Sequence, residues 1–177
     1  MELLNEKQQK AYEALKERFG YRNRMQTPRL QKIVVSVGIG STKDKHKVEL
    51  IESRLAKITG QKPALRPAKK SIASFKSREG DPVGYQVTLR GVRMADFFNR
   101  LINAALPRTK DFKGVSRGSG DAMGNYTLGI REHTIFPETA DEDIKDVFGL
   151  AVTLQTSAKS KEEAAAYLEH LGLPFRK

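Results

Sequence analysis

Apolar residues recur along this chain with two different periods, and the period separates helices from strands. Leu4, Tyr12, Leu15 and Phe19 share one face of a helix predicted over 2–19, which Gly20 is placed to end. Residues 30–37, LQKIVVSV, are rich in β-branched side chains and predict a strand. Val48, Ile51, Leu55 and Ile58 mark a second helix, stopped by Gly60. A third helix is expected over 92–106, with Met94, Phe97, Phe98, Leu101, Ile102 and Ala105 on its apolar face and Pro107 closing it. Further strands are expected at 84–90, 125–131 and 149–156, an acidic turn or short helix at 138–147, and a last helix at about 160–171. Gly80, Pro82 and Gly84 predict a hairpin across Ser77–Gly84, and the Gly-rich, basic stretch 108–125 reads as a long exposed hairpin. Strands and helices mix without strict alternation. The expected class is α+β: two layers, a mainly antiparallel sheet with helices packed on one face, in a single domain over 1–177.

Within the strands the period is two, which assigns each residue to a face. Tyr85, Val87 and Leu89 oppose Gln86, Thr88 and Arg90; Ile33, Val35 and Val37 oppose Lys32, Val34 and Ser36. Tyr126, Leu128 and Ile130 oppose Thr127, Gly129 and Arg131, and Leu150, Val152 and Leu154 oppose Ala151, Thr153 and Gln155. A sheet covered on one side only would have this pattern. Its other side offers hydroxyls, amides and guanidiniums, groups that suit phosphate oxygens and ribose 2′-hydroxyls. An ordinary solvated sheet face would have the same alternation.

Charge bears on that choice. The chain carries 32 Lys and Arg against 21 Asp and Glu, a formal charge of +11, which favours an anionic partner. The cations concentrate at 16–32, 61–78 and 108–117; residues 61–78 hold six Lys or Arg and no acid. Cysteine is absent, which removes disulfides, thiol catalysis and cysteine-based zinc sites and fits a reducing compartment. No apolar run reaches membrane-spanning length, and MELLNEKQQK lacks the basic and apolar parts of a secretory signal. A cytoplasmic location and no membrane partner are expected.

The motifs that could signal catalysis are weak. Gly38-Ile-Gly40 lies between a strand and a helix, but the third glycine of a dinucleotide loop would fall at Lys43. A strand-to-helix turn needing permissive backbone is the plainer reading. His46, His133 and His170 have no metal-ligand spacing and read as surface or packing residues. Asp141, Glu142, Asp143 and Asp146 suit the first turn of a helix better than a calcium loop. No enzyme activity, cofactor or metal is expected. The aromatic strand signature of an RNA-recognition motif is also missing, which favours structured RNA over single strands.

The runs GQKP (60–63), AKKSIASFK (68–76), VTLRG (87–91), RMADFF (93–98), LPRTKDFKGVS (106–116), GNYTLGI (124–130), IFPE (135–138) and LGLPFRK (171–177) resemble the bacterial large-subunit ribosomal protein family L-five. The resemblance implies a structural protein that binds 5S rRNA in the central protuberance, beside 23S rRNA and neighbouring 5S-binding proteins. The family's three polar 5S-recognition positions match Ser36, Gln61 and Thr88, with Lys32, Lys69, Lys70 and Arg90 as flanking 5S rRNA contacts. It also implies a loop near the P-site tRNA, matched by Lys76, Ser77, Arg78, Gly80, Pro82 and Gly84, and an intersubunit bridge to small-subunit protein thirteen. The acidic 138–146 stretch would meet that basic partner.

Three positions depart from the family pattern: Ser36 stands where Asn is usual, Met123 where Arg is usual and His133 where Gln is usual. Serine keeps a hydrogen-bonding group but has shorter reach and no amide fork. The residues taken without the resemblance leave a non-ribosomal RNA-binding or RNA-chaperone protein as the alternative.

Overall fold

The alternating segments form strands, and the strands assemble into an open five-stranded antiparallel sheet in an α+β fold. The computed structural model describes residues 4–42, 44–110, 112–139 and 146–176. In chain order the elements are α1 (Leu4–Phe19), β1 (Leu30–Gly38), α2 (Lys45–Thr59), β2 (Ala64–Pro67), β3 (Pro82–Leu89), α3 (Gly91–Arg100), β4 (Tyr126–Ile130), β5 (Leu150–Thr156) and α4 (Lys161–Leu171). Strand order is β2-β3-β1-β5-β4. Ala64 pairs with Gln86 and Leu65 with Tyr85, antiparallel. The Ser157 N–H donates to the Arg29 carbonyl, setting the end of β5 beside the start of β1.

The chain divides into two compact units, one of Met1–Ile33, Arg90–Leu128 and Thr153–Lys177, the other of Val34–Leu89 and Gly129–Val152. In the first, α1 packs on α3 and α4. Leu4, Ala11 and Leu15 form its buried stripe, with Tyr12 and Phe19 half-exposed at the margin. Ser160 caps α4 by accepting the Glu163 N–H, and the buried Glu163 carboxylate accepts the Lys159 N–H at 2.7 Å and the Tyr21 hydroxyl. Burial and that carboxylate both hold the Tyr21 hydroxyl protonated well above its usual range.

Residues 92–106 are not one regular helix. After Arg100 the Leu106 N–H reaches back five residues to the Leu101 carbonyl, a wide turn over Leu101–Ala105. The extra residue shifts the apolar stripe. Leu101, Ala105 and Leu106 are buried, whereas Ile102 is half-exposed.

In the second unit, α2 starts at an Asp44 cap, whose carboxylate accepts the His46 N–H at 3.0 Å, and ends at Gly60 with φ +67°. Ile51, Leu55 and Ile58 supply its core face, and Tyr85, Val87 and Leu89 supply that of β3. The Tyr85 hydroxyl donates to the Glu52 carboxylate at 3.0 Å, tying strand to helix.

Several sequence expectations need correction. Strand β2 was not expected; ALRP carries one large apolar residue and lies at the sheet edge. Neither Gly38 nor Gly40 takes a positive φ, so no permissive backbone is required there. Ile39 between them is buried and donates its N–H to the Val83 carbonyl, continuing the ladder. The first loop spans 68–81, not 77–84, and Pro82 and Gly84 belong to β3. Among the described residues, segment 108–125 is not one long hairpin: Val115 bridges to Phe175 in the C-terminal tail, and the chain folds back on itself only at its end, where Gly120 pairs antiparallel with Tyr126 and the Asp121 N–H donates to the Asn125 carbonyl. Of the acidic stretch, residues 140–145 lie outside the described residues.

Candidate RNA-binding face

Strand geometry places the candidate residues before any chemistry is considered. On β1 the burial alternates as expected: Val35 and Val37 are buried, Val34 and Ser36 half-exposed. On β3, Tyr85, Val87 and Leu89 are buried, Gln86 and Thr88 half-exposed. Ser36 and Thr88 therefore stand on the polar side of neighbouring strands. Gly84 explains how these strands approach: a Cβ there would sit 2.8 Å from the Val37 carbonyl oxygen. Strand β2 extends the face with Arg66, whose Nε donates to the Gln86 side-chain oxygen at 2.5 Å.

Gln61 reaches the site by another route. It follows the left-handed Gly60 that ends α2 and precedes buried Pro63. The buried Thr59 hydroxyl lies 2.7 Å from the Leu55 carbonyl and 3.1 Å from that of Gln61. The backbone of Gln61 is thus held while its side chain stays half-exposed at the start of β2, beside the sheet rather than on it. Among the described residues, no intramolecular hydrogen bond engages the side chains of Ser36, Gln61 or Thr88, whereas Gln86 is already engaged by Arg66.

The candidate cations lie on separate parts of the chain. Lys69, Lys70, Lys76 and Arg78 are exposed on the 68–81 loop, with Ser77 and Gly80 beside them. Lys32 and Arg90 belong to the other compact unit. Lys32 is half-exposed on β1, and Arg90 is exposed in extended backbone just before α3. The short polar side chains and the exposed cations are what a phosphate backbone and its sugar edges require.

The chain matches the family described as Ribosomal protein L5 over residues 23–78, and the C-terminus of that ribosomal family over residues 82–175. A large ribosomal subunit protein uL5 from Caldanaerobacter subterraneus subsp. tengcongensis is 50% identical over the whole of both chains. One from Rubrobacter xylanophilus is 54% identical over 92% of this chain and 91% of its own. A third, from Trichlorobacter lovleyi, is 50% identical over 96% of this chain and 95% of its own. This chain belongs to the ribosomal protein L5 family. It is a structural protein and not an enzyme.

For a member of the ribosomal protein L5 family, two buried features stand out that sequence reasoning missed or left unexplained. Arg54 is buried, with Nη1 3.0 Å from the Asp146 carbonyl and 3.3 Å from His133 Nε2. His133 is wholly buried, as a packing residue should be, and stacks on Phe148 at 4.1 Å between ring centres, 6° from parallel. Burial foremost, then the Arg54 guanidinium, depresses its pKa to about 4. A cation in a basic sequence gives no signal that it will be buried, so Arg54 was not legible. Arg66 was equally hidden, because β2 itself was.

Proposed function

We propose that the protein binds 5S rRNA through the polar face formed by β1, β2 and β3, with Ser36, Gln61 and Thr88 as the recognition residues. Family membership makes the chain a structural constituent of the large ribosomal subunit, and so of the cytoplasmic ribosome. The observation that carries the finer reading is a contrast within one surface. Three half-exposed polar side chains keep their hydrogen-bonding groups unspent, on or beside a face whose apolar counterpart is fully packed. Serine at 36 offers one donor and short reach, so a bridging water suits its contact.

Lys69 and Lys70 hold the phosphate backbone on one side in this reading, and Lys32 and Arg90 add contacts from their own unit. The 68–81 loop, with Lys76, Ser77, Arg78 and Gly80, reaches toward P-site tRNA. The acidic stretch around 138–146 meets small-subunit ribosomal protein thirteen, and the remaining basic surface meets 23S rRNA and neighbouring 5S-binding proteins.

Filter binding of purified protein to cognate 5S rRNA tests the core of this. Thr88→Ala and Gln61→Ala should weaken binding with no change in melting temperature. Affinity should fall by about 10³–10⁵ between 50 and 200 mM salt if six to ten phosphates are neutralised. Wild-type affinity in Thr88→Ala would show that the assigned face is wrong.

A further inference from the structure

The 68–81 connection is a built finger. At its base the Ala68 N–H donates to the Asp81 carbonyl at 2.8 Å and the Gly80 N–H to the Ala68 carbonyl at 3.0 Å. Higher up, the Arg78 N–H donates to the Asp81 carboxylate at 2.7 Å and the Glu79 N–H to the Ser71 hydroxyl at 2.9 Å. At the neck Ile72 and Ser77 exchange both backbone hydrogen bonds, at 3.0 and 3.3 Å. The tip closes with the Lys76 N–H on the Ala73 carbonyl, and Lys76 is the one positive-φ residue other than glycine among the described residues, at +50°.

This finger presents apolar surface to solvent. Phe75 is 79% exposed and Ile72 46% exposed. Single exposed hydrophobes are common, but this ring sits on an ordered tip with a strained neighbour. The same finger carries Lys69 and Lys70 near its base and Lys76 and Arg78 nearer its tip; the acids of the loop are Asp81, turned inward onto the Arg78 N–H, and Glu79. A flat apolar ring on a finger that also carries cations is complementary to a base flanked by phosphates.

We propose that Phe75, with Ile72 exposed on the same finger, is a stacking platform for an exposed nucleobase face of a folded RNA, either an unstacked base or a base pair at the end of a stack. The proposal rests on the reading of this loop as an RNA contact and adds the mode of contact. Sequence alone argued against stacking as the main device, and one finger does not alter that for the sheet. It assigns stacking to the tip and hydrogen bonding to the face.

The test uses large subunits carrying the full-length protein as wild type or variant, with deacylated tRNA as the probe in the P site. Phe75→Ala should weaken tRNA binding roughly 5- to 150-fold, the loss expected for one stacked base. The slope of log affinity against log salt should stay unchanged, because no phosphate contact is lost. Phe75→Trp, which keeps a flat ring, should retain affinity. Lys76→Ala should weaken binding and reduce that slope by about one. If Lys76→Ala weakens binding and Phe75→Ala does not, the platform is overturned while the loop reading stands. If neither variant changes tRNA affinity, both fall. 5S rRNA binding by the purified Phe75→Ala protein should equal wild type, and a loss there would overturn the separation of tip from face.

Discussion

Acidification should destabilise this protein through His133. Two N–H donors face its ring: that of Phe148 lies 3.3 Å from Nδ1, and Arg54 Nη1 lies 3.3 Å from Nε2. A neutral imidazole can accept at one nitrogen, but a charged one can accept at neither, and it would also face a guanidinium. Burial foremost, then the Arg54 guanidinium, lowers the folded pKa from 6.5 to about 4, against a smaller upward effect of the Phe148 backbone hydrogen bond. Between those values the unfolded chain binds the extra proton and the folded chain does not, so stability falls as pH falls. The contribution is fully present above pH ~6.5 and is lost by pH ~4. At about 1.4 kcal/mol per pH unit, the whole window is worth about 3 kcal/mol, and the step from pH 7 to pH 5 about 2 kcal/mol. For a chain of this size that is a drop in Tm of roughly 4–8 °C. To isolate this one group, the assay compares wild type with His133→Gln, which keeps a polar side chain and cannot charge. Melting curves by circular dichroism at pH 7 and pH 5 give the difference. The variant should lose about 2 kcal/mol less than wild type. Parallel losses would refute a neutral, buried His133.

Two further outcomes test the packing that supports the site. Leu101→Ala removes a fully buried side chain at the wide turn after α3 and should cost about 2–5 kcal/mol in urea unfolding, with 5S rRNA affinity retained at low temperature. Gly84→Ala places a methyl group 2.8 Å from the Val37 carbonyl oxygen, so β1 and β3 must separate. It should lower Tm and weaken 5S rRNA binding together, and an unchanged Tm would show that the strands part without cost.

The strands were legible because one face of each is buried. A period-two pattern cannot slip by one residue without exposing its whole apolar set, and the observed burial follows the sequence alternation throughout β4 and β5, in β1 from Lys32 onward and in β3 from Tyr85 onward. β2 escaped for the same reason in reverse. All four of its residues are exposed, so no alternation exists to be read, and only its pairing with β3 makes it a strand. The wide turn at Leu101–Ala105 was illegible because Leu101, Ile102, Ala104 and Ala105 satisfy a helical stripe in more than one phase.

The site divides along the same line. Ser36 and Thr88 were visible from periodicity, since a small polar residue opposite buried neighbours must face outward. Gln61 came only from the resemblance, because its position depends on how α2 ends and not on any repeat. The division has a consequence for recognition. A hydroxyl on a strand has few rotamers to lose, and its backbone is already fixed by the ladder, so ordering it on RNA costs little. An exposed lysine on the 68–81 loop loses up to about 2 kcal/mol of side-chain freedom when it is fixed in one geometry. Such a cation binds best loosely, to whichever phosphate oxygen is near, and its contribution fades with salt. The cations should therefore set how tightly the protein holds RNA at a given salt. The short side chains on β1 and β3, and Gln61 beside them, should set which RNA it holds and in what register.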